Sequence, residues 1–414
     1  MNDYGISKLD LKRRNRMQIL RVIRENGPIS RVDISAMLHI TRAAVTIITN
    51  EMIAQSILEE VGEEPQDPSN EIRKGRRKIL LDINPTYRFA LGVYIDEASI
   101  SIGLTTLNAQ ALDKRSLTLE PDASSSDITE QIAITVRKML QNSCLHVEDI
   151  VGIGIGVMPS MWNRVHAVVK DGNLDFSELE QAVEQACNLP VYIGNAISLF
   201  AMASINYAEH YGQPVNQVFL HAGPVFHIAV IQNNQLVNGF QRYTHVVERF
   251  CVHPNGKPLD GYPNGSVKAE LSKQSMVEDV ATIYGKDETP ALYALTEGDM
   301  EAVSLPLLLT AWDQGDLALE SLVKHYLDML CCLLINVLQA YFAQKVYLHN
   351  FGFNERHLEQ IRQHMASIAG EAEADRIALS AIEERYHFMC GCCYAIQHGF
   401  FMKGGMMERS PSTK

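Results

Sequence analysis

The helix start and stop signals between residues 8 and 57 constrain this chain more than any other feature, because they fix three short helices and the turns between them. Met17, Leu20 and Ile23 recur at helical spacing, and Asn26-Gly27-Pro28 stops that helix with a C-terminal glycine and a breaker. A first helix is predicted over about residues 8–25. Ser30 starts a second, with Asp33 three residues on as an acidic capping box and Ile34, Met37 and Leu38 as its apolar side. His39-Ile40 is the turn. Thr41 then caps a third helix that carries Val45, Ile48, Met52 and Ile53 inward and Arg42, Ala43, Thr46, Thr49 and Asn50 outward.

Two short helices joined by a tight turn, the second opening with small and polar residues, make a helix-turn-helix, whose second helix enters the major groove N-terminus first. Ala43 and Ala44 allow close approach to the base edges. Arg42 can pair bidentately with guanine, and Ala43 or the Thr46 methyl can touch a thymine methyl. After Ile57-Leu58, β-like runs at residues 58–61 and 78–83 flank a loop that ends Arg73-Lys74-Gly75-Arg76-Arg77-Lys78. Basic residues around a glycine at a hairpin flank form a wing that can lie along phosphates or reach into a minor groove. The expected DNA contacts are Thr41, Arg42, Ala43, Ala44, Thr46 and Thr49 from the third helix. Arg31, Asn50, Arg73, Lys74, Arg76, Arg77 and Lys78 are expected to position the phosphates. A protein-interaction module is the competing reading of such a segment.

Charge separates the two readings. The net charge of −13 over 414 residues speaks against nucleic acid on average. Residues 1–88, however, carry 15 Lys/Arg against 12 Asp/Glu, a net of +3, which leaves residues 89–414 with 21 against 37, a net of −16. A basic module joined to an acidic body is the pattern of a nucleic-acid reader on a larger scaffold. The length suggests two or three domains, and 46% hydrophobic with 21% charged residues excludes disordered and coiled-coil classes. Eight cysteines are too few for a disulfide scaffold. No membrane-spanning run and no signal segment are read, so a cytoplasmic protein with no membrane partner is expected.

The stretch LKRRNRMQILRVIRENGPISRVDISAMLHITRAAVTIITNEMI, followed by KGRRKILLDINP and FALGVYIDEASISIGLTTLNAQAL, resembles the ROK family of repressors, open reading frames and sugar kinases, in its transcriptional-regulator branch. Past Asn84-Pro85, apolar runs at 89–95, 100–107, 150–157, 189–193 and 217–220 alternate with helical periodicity such as 128–140, which argues for an α/β body. The resemblance implies that this body is two actin-like, ribonuclease H-like lobes with a cleft between them, as in sugar kinases. The expected units are a winged helix-turn-helix at 1–84, a first lobe at 85–195 completed by about 385–414, and a second lobe at 196–384 for effector binding and oligomerisation.

Kinases of this family need a phosphate cradle, a catalytic carboxylate and usually a cysteine-bound zinc. Tyr94 stands where the first phosphate turn has its acidic residue, and the glycine-rich turn reads His221-Ala222-Gly223-Pro224-Val225-Phe226-His227. The late Gly-Gly turn reads Leu348-His349-Asn350-Phe351-Gly352. Ala196 occupies the catalytic Asp position, and a methyl group cannot accept a proton. Val252-His253-Pro254-Asn255-Gly256 fits the turn before the zinc cysteines, yet no cysteine follows; the metal histidine falls on Arg249 and a sugar-contacting Glu on Val246. No zinc, no cofactor and no enzyme activity are therefore expected. Asn195, His245, His253 and Glu270 are the candidate ligand residues, with Asp260 near enough to join them, although Asn195 can be a turn or cap residue and Glu270 a solvated one. Cys331-Cys332 and Cys390-Gly391-Cys392-Cys393 read by default as buried small residues, with soft-metal binding or oxidant sensing the alternative for the second cluster.

The expected function is that of a DNA-binding repressor of carbohydrate-related genes, working as a homodimer or tetramer on a palindromic operator. Its effector is a small carbohydrate, a protein partner or nothing. The alternative is an ATP-dependent carbohydrate kinase with an appended DNA-binding domain.

Overall fold

In the computed structural model, which describes residues 8–64, 77–206, 215–223, 225–237 and 246–406, the helices begin where the caps stand. Helix α1 (Lys8–Asn26) is followed by a short strand β1 (Ile29–Ser30) and by α2 (Arg31–Leu38), which starts on Ser30 with its hydroxyl accepting from the Asp33 N–H. His39 turns the chain in a left-handed conformation, and Thr41 caps α3 (Arg42–Ala54) by accepting from the Ala44 N–H. Strands β2 (Leu58–Glu63) and β3 (Ile79–Ile83) pair antiparallel, and β1 adds to β3. Ile19, Leu20, Ile23, Ile34, Val45 and Met52 close the core of this module. Met37 does not join them: α2 spans little more than two turns, buries only Ile34, and leaves Met37 half exposed.

The body opens with an antiparallel meander of β4 (Phe89–Ile95), β5 (Ser99–Thr106) and β6 (Ala111–Thr118). Helix α4 (Ser125–Asn142), started by a complete Ser124/Asp127 capping box, crosses to β7 (Ile150–Val157), which runs parallel to β4. A small hairpin, β8 (Val168–Lys170) and β9 (Asn173–Asp175), precedes α5 (Ser177–Cys187) and β10 (Val191–Asn195), giving the order β10-β7-β4-β5-β6. Strands β4 and β7 are buried on both faces, which is why they read as continuous apolar runs.

Helix α6 (Ala196–Asn206) leads to the second sheet through β11 (Gln217–His221), β12 (His227–Gln232) and β13 (Gln235–Leu236). A helical layer follows: α7 (Val267–Leu271), α8 (Lys273–Val280), α9 (Pro290–Leu295), α10 (Leu305–Asp313) and α11 (Glu320–Ala340). The chain then places β14 (Lys345–His349) parallel to β11, crosses through α12 (Glu355–Ala369) and α13 (Glu371–Ala374), and adds β15 (Ile377–Leu379), for the order β13-β12-β11-β14-β15. Against the sequence reading, residues Leu317–Ala340 are long and apolar enough to cross a membrane. Within the fold, Val323, Tyr326, Leu330, Leu334 and Val337 of this stretch are core residues of the second lobe.

Helix α14 (Met389–Gly399) returns to the first sheet. It lies so close that a Cβ on Gly154 would overlap the Gly391 carbonyl, and one on Gly92 would overlap the backbone of Phe388 and Cys392. Only small side chains fit such a contact, and Cys390, Cys392 and Cys393 are buried there. The far end of α14 does something else. Ala395, Ile396, Phe400 and Phe401 share one core with Ile19, Leu20, Ile23, Ile57 and Leu58 of the N-terminal module. Arg24 lies 4.5 Å over the Phe401 ring and donates to Gln397 Oε1 at 2.9 Å, so α14 touches the first lobe and the module at once.

Candidate nucleic-acid interface and cleft

The outward face of α3 carries Arg42, Ala43, Thr46 and Asn50, all exposed, with Thr41 exposed at its start and Ala44 half-buried. Ile47 belongs to the same face and is 69% exposed. The sequence reading passed over it because a branched aliphatic residue looks like core; its place three residues before Asn50 and four after Ala43 was the available signal. Ala43, Ile47 and the Thr46 methyl form an apolar strip of the kind that reads thymine methyl groups, and Arg42 stands at the helix start beside them.

Thr49 is a correction. It is fully buried, one turn after Val45 and three residues before Met52, so it lies on the core side of α3 and cannot face bases. Its hydroxyl donates to the Val45 carbonyl at 2.9 Å and accepts from Arg31 Nε at 3.1 Å. Arg31 also donates to Asn50 Oδ1 at 3.1 Å and to Glu60 Oε1 at 2.9 Å, tying α2, α3 and β2 together. Any phosphate contact by Arg31 would compete with Glu60. In the wing, Arg77 pairs with Glu63 at 3.3 Å, while Lys78 pairs with Asp33 at 3.1 Å and Glu64 at 3.5 Å. The hydrogen bond to Asp33 raises the Lys78 ammonium above its ordinary pKa. Arg73, Lys74 and Arg76 lie outside the described residues.

In the body, Asn195 ends β10 and is fully buried, its Oδ1 accepting from the Ile197 N–H at 3.0 Å at the start of α6. Ala196 beside it is also fully buried. Aromatic and imidazole rings pack into the buried cluster around them. The parallel register of β11 and β14 sets His221 beside His349, with centroids 5.3 Å apart, and His387 stands 5.3 Å beyond. Phe200 and Phe219 pack on His349 at 4.8 and 4.9 Å, and Tyr94 packs on Phe200 and His387. Burial, reinforced by its neighbouring histidines, drives His221 well below the usual imidazole range; burial takes His349 to about 3 and His387 to about 4. Neutral rings packed together offer no cradle for nucleotide phosphates, so the residues present do not fit ATP.

The loop where the family holds zinc is closed by other means. Glu270 is fully buried, in contrast to its reading as a solvated residue. It accepts from the Lys257 backbone N–H at 2.7 Å and stands 3.2 Å from His325 and 3.8 Å from His253. Lys257 bonds Ser275 and Asp279, and Tyr326 donates to Asp279 at 2.6 Å. Among the described residues no group of three His, Cys, Asp or Glu is arranged to hold a metal, and this donor set does not fit a structural zinc. Of the candidate ligand residues, His253 and Glu270 are brought together in the second lobe, Asn195 lies at the end of the first sheet, and His245 is outside the described residues.

Residues 91–383 match the ROK family, and residues 12–59 match a winged helix-turn-helix DNA-binding family. The chain is 25% identical over 231 residues to the xylose repressor of Caldicellulosiruptor bescii, covering 55% of this chain and 56% of that one. It is 23% identical over 283 residues to the xylose repressor of Bacillus subtilis, covering 66% and 69%. With the DNA-binding transcriptional repressor Mlc of Escherichia coli it shares 24% identity over 274 residues, 65% of each chain. Among solved structures, a ROK family transcriptional regulator described as a homolog of the Escherichia coli MLC protein superposes with a TM-score of 0.71 at 17% identity, over 95% of this chain and 98% of that one. A ROK hexokinase from Thermus thermophilus superposes with a TM-score of 0.56 at 15% identity, over 75% of this chain and 98% of the enzyme.

Proposed function

The chain belongs to the ROK family, and on that premise we propose that it is a non-enzymatic, DNA-binding transcriptional repressor of carbohydrate-related genes, acting in the cytoplasm. The observation that carries the reading is the outward face of α3, where a capped helix start presents Arg42, Ala43, Thr46, Ile47 and Asn50, with only methyl side chains at Ala43 and Ala44 in its first turn. The names of the repressors to which the chain is similar support both the activity and the carbohydrate connection.

Bases are read by Arg42, Ala43, Ala44, Thr46 and Ile47, with Thr41 at the helix start. Arg73, Lys74, Arg76, Arg77 and Lys78 line the phosphates, Arg77 and Lys78 exchanging their carboxylate partners for phosphate oxygens. Arg31 and Asn50 hold α3 in place. Two copies on a palindromic operator double the site, and the acidic body, spanning both lobes, keeps nonspecific wrapping low. Ala196 and the buried ring cluster beside it support the loss of phosphoryl transfer. An effector acts by favouring one arrangement of module and body, and it need not meet Asn195 or Glu270, whose polar atoms are engaged in the fold.

A charge-reversal pair tests this reading. Arg42→Glu and Arg76→Glu are each expected to abolish operator binding in a gel-shift titration while thermal melting stays at the unmodified value; operator binding at full strength by both variants contradicts it.

A further inference from the structure

We propose that the buried histidine cluster is a latch between the two lobes, closed while its rings are neutral and released when they take up protons. The second sheet supplies a row of three. His227 of β12 is the register partner of His221 on β11, and His221 that of His349 on β14, so all three lie on one face of the sheet. That face meets the first lobe. Phe219, two residues before His221 and on the same face, shares a core with Tyr94 and Met158 of the first lobe and with Phe200 of α6. His387, from the chain before α14, completes the joint, with ring centroids 5.3 Å from His349, 5.0 Å from Phe200 and 4.8 Å from Tyr94. The lobes thus meet there ring on ring.

Both nitrogens of His221 and the Nε2 of His349 are enclosed without a hydrogen-bond partner. Such atoms are unfavourable in a closed joint, and parting the lobes gives them water. Apolar ring contact therefore holds the joint shut against the hydration of its nitrogens, a balance that added charge reverses. Burial and the imidazoles of His349, His227 and His387 disfavour a proton on His221; burial and His387 disfavour one on His349. Asp96 is the carboxylate that draws a proton to His387, and Asp96, Glu384 and Cys390 surround Tyr94. Burial pushes Tyr94 and Cys390 up, so both stay neutral. An imidazole held neutral in the closed joint but free to ionise in water favours closure above about pH 6.5 and opening below it. What turns is set by α14. Gly391 lies against the Gly154 carbonyl and Gly399 against the Val151 carbonyl, too close for any Cβ, so the helix is pinned to β7 at both ends. Phe400 and Phe401 beyond it belong to the module core, and the module moves with the first lobe when the second swings away. The latch rests on the regulator reading only for the consequence at DNA.

The test is a distance measurement on the full-length protein. Nitroxide labels go on the exposed Cys144 of the first lobe and Cys251 of the second, with the half-buried Cys187 and Cys332 replaced by serine. Between about pH 7.5 and pH 5, the ratio of a longer to the shorter inter-label distance is expected to rise at least about tenfold, the yield of one ring, while circular dichroism shows the fold intact. In the double variant His221→Leu, His349→Leu that response shrinks at least about tenfold, because leucine takes up no proton; loss of structure would lengthen the distance instead. An unchanged distance in the labelled protein with its histidines intact overturns the proposal without recourse to the variant, as does unfolding before the distance changes. An undiminished response in the double variant overturns it too. Failure of the regulator reading shows separately, as absence of operator binding at about pH 7.5 whatever the labels report.

Discussion

Arg16 is one of the points at which the DNA-binding module is fastened to the rest of the chain, and its replacement has a calculable effect. The side chain is fully buried; Nε donates to the Gly404 carbonyl at 2.7 Å, one terminal nitrogen donates to Gln55 Oε1 at 2.9 Å, and the other lies 3.4 Å from Glu51 Oε1. Burial lowers its pKa and Glu51 pushes it back up; the guanidinium stays charged. These contacts join α1 to the end of α3 and to the segment after α14. Arg16→Met keeps an apolar stem and removes the fork, leaving the Gly404 carbonyl and Gln55 without their donor. Breaking a buried charged cluster by removing one partner costs about 3–5 kcal/mol. Glu51 is a third exposed and keeps Lys12 at 2.7 Å, so the lower end applies, about 3 kcal/mol. That free energy corresponds to roughly a hundredfold faster opening. Hydrogen exchange on the full-length protein reads it directly: amides of α1 and α3 accelerate about a hundredfold, while those of α4 in the first lobe stay unchanged. Arg16→Lys, with charge but no fork, recovers part of the protection. Exchange of α1 and α3 in Arg16→Met within about threefold of the unmodified protein would refute the fastening argument.

Gly154→Ala is expected to lower the urea midpoint by about 1–3 kcal/mol equivalent, because the new methyl meets the Gly391 carbonyl and neither backbone can turn away; an unchanged midpoint contradicts the close approach of α14. The buried histidine cluster makes stability depend on pH. His221, His349 and His387 have depressed pKa values in the fold, so the unfolded chain takes up protons first. Stability is therefore complete above about pH 6.5 and falls below it, by up to about 1.4 kcal/mol per pH unit for each ring until its folded pKa is reached. Asp96 opposes the effect at His387. Denaturant titrations from pH 7.5 to 5 measure the slope, and His349→Phe should flatten it; a flat profile in the unmodified protein contradicts the neutral cluster. Glu270→Gln weakens the contacts to His325 and His253 and should cost about 1–3 kcal/mol, whereas a metal chelator leaves the melting temperature of the unmodified protein unchanged; a chelator-induced drop would restore a metal to this loop.

What the sequence discloses of this fold is local. Ser30, Thr41 and the Asn26-Gly27-Pro28 stop act on neighbouring backbone groups, so their spacing places three helices within a residue or two of where they stand. The apolar runs of β4 and β7 are legible for a similar reason, since strands covered on both faces need no alternation. Which side of α3 meets solvent was only partly legible. Thr49, expected outward, is buried, and Ile47, given no place, is exposed: hydroxyl chemistry gave the wrong cue, while angular position relative to Val45 and Met52 gives the right one. The pairing of Arg31 with Glu60 and of Lys78 with Asp33 depends on β2 and β3 folding back over α2, which residue type alone does not encode. The histidine cluster draws from β11, β14 and the chain before α14, and the closure of the zinc-less loop draws on Lys257, Glu270, Asp279 and His325. Such sites exist only once distant segments meet, so no window along the chain displays them.

The central claim is that α3 reads DNA, and selection of bound fragments from random duplexes by the full-length protein tests it most directly. The account predicts enrichment of a palindromic sequence whose affinity falls steeply with salt. Arg42→Ala should lose about 1–3 kcal/mol of discrimination at one base pair of each half-site while binding other positions as before. Failure to enrich any sequence, or an Arg42→Ala protein with undiminished affinity and specificity, would contradict the account.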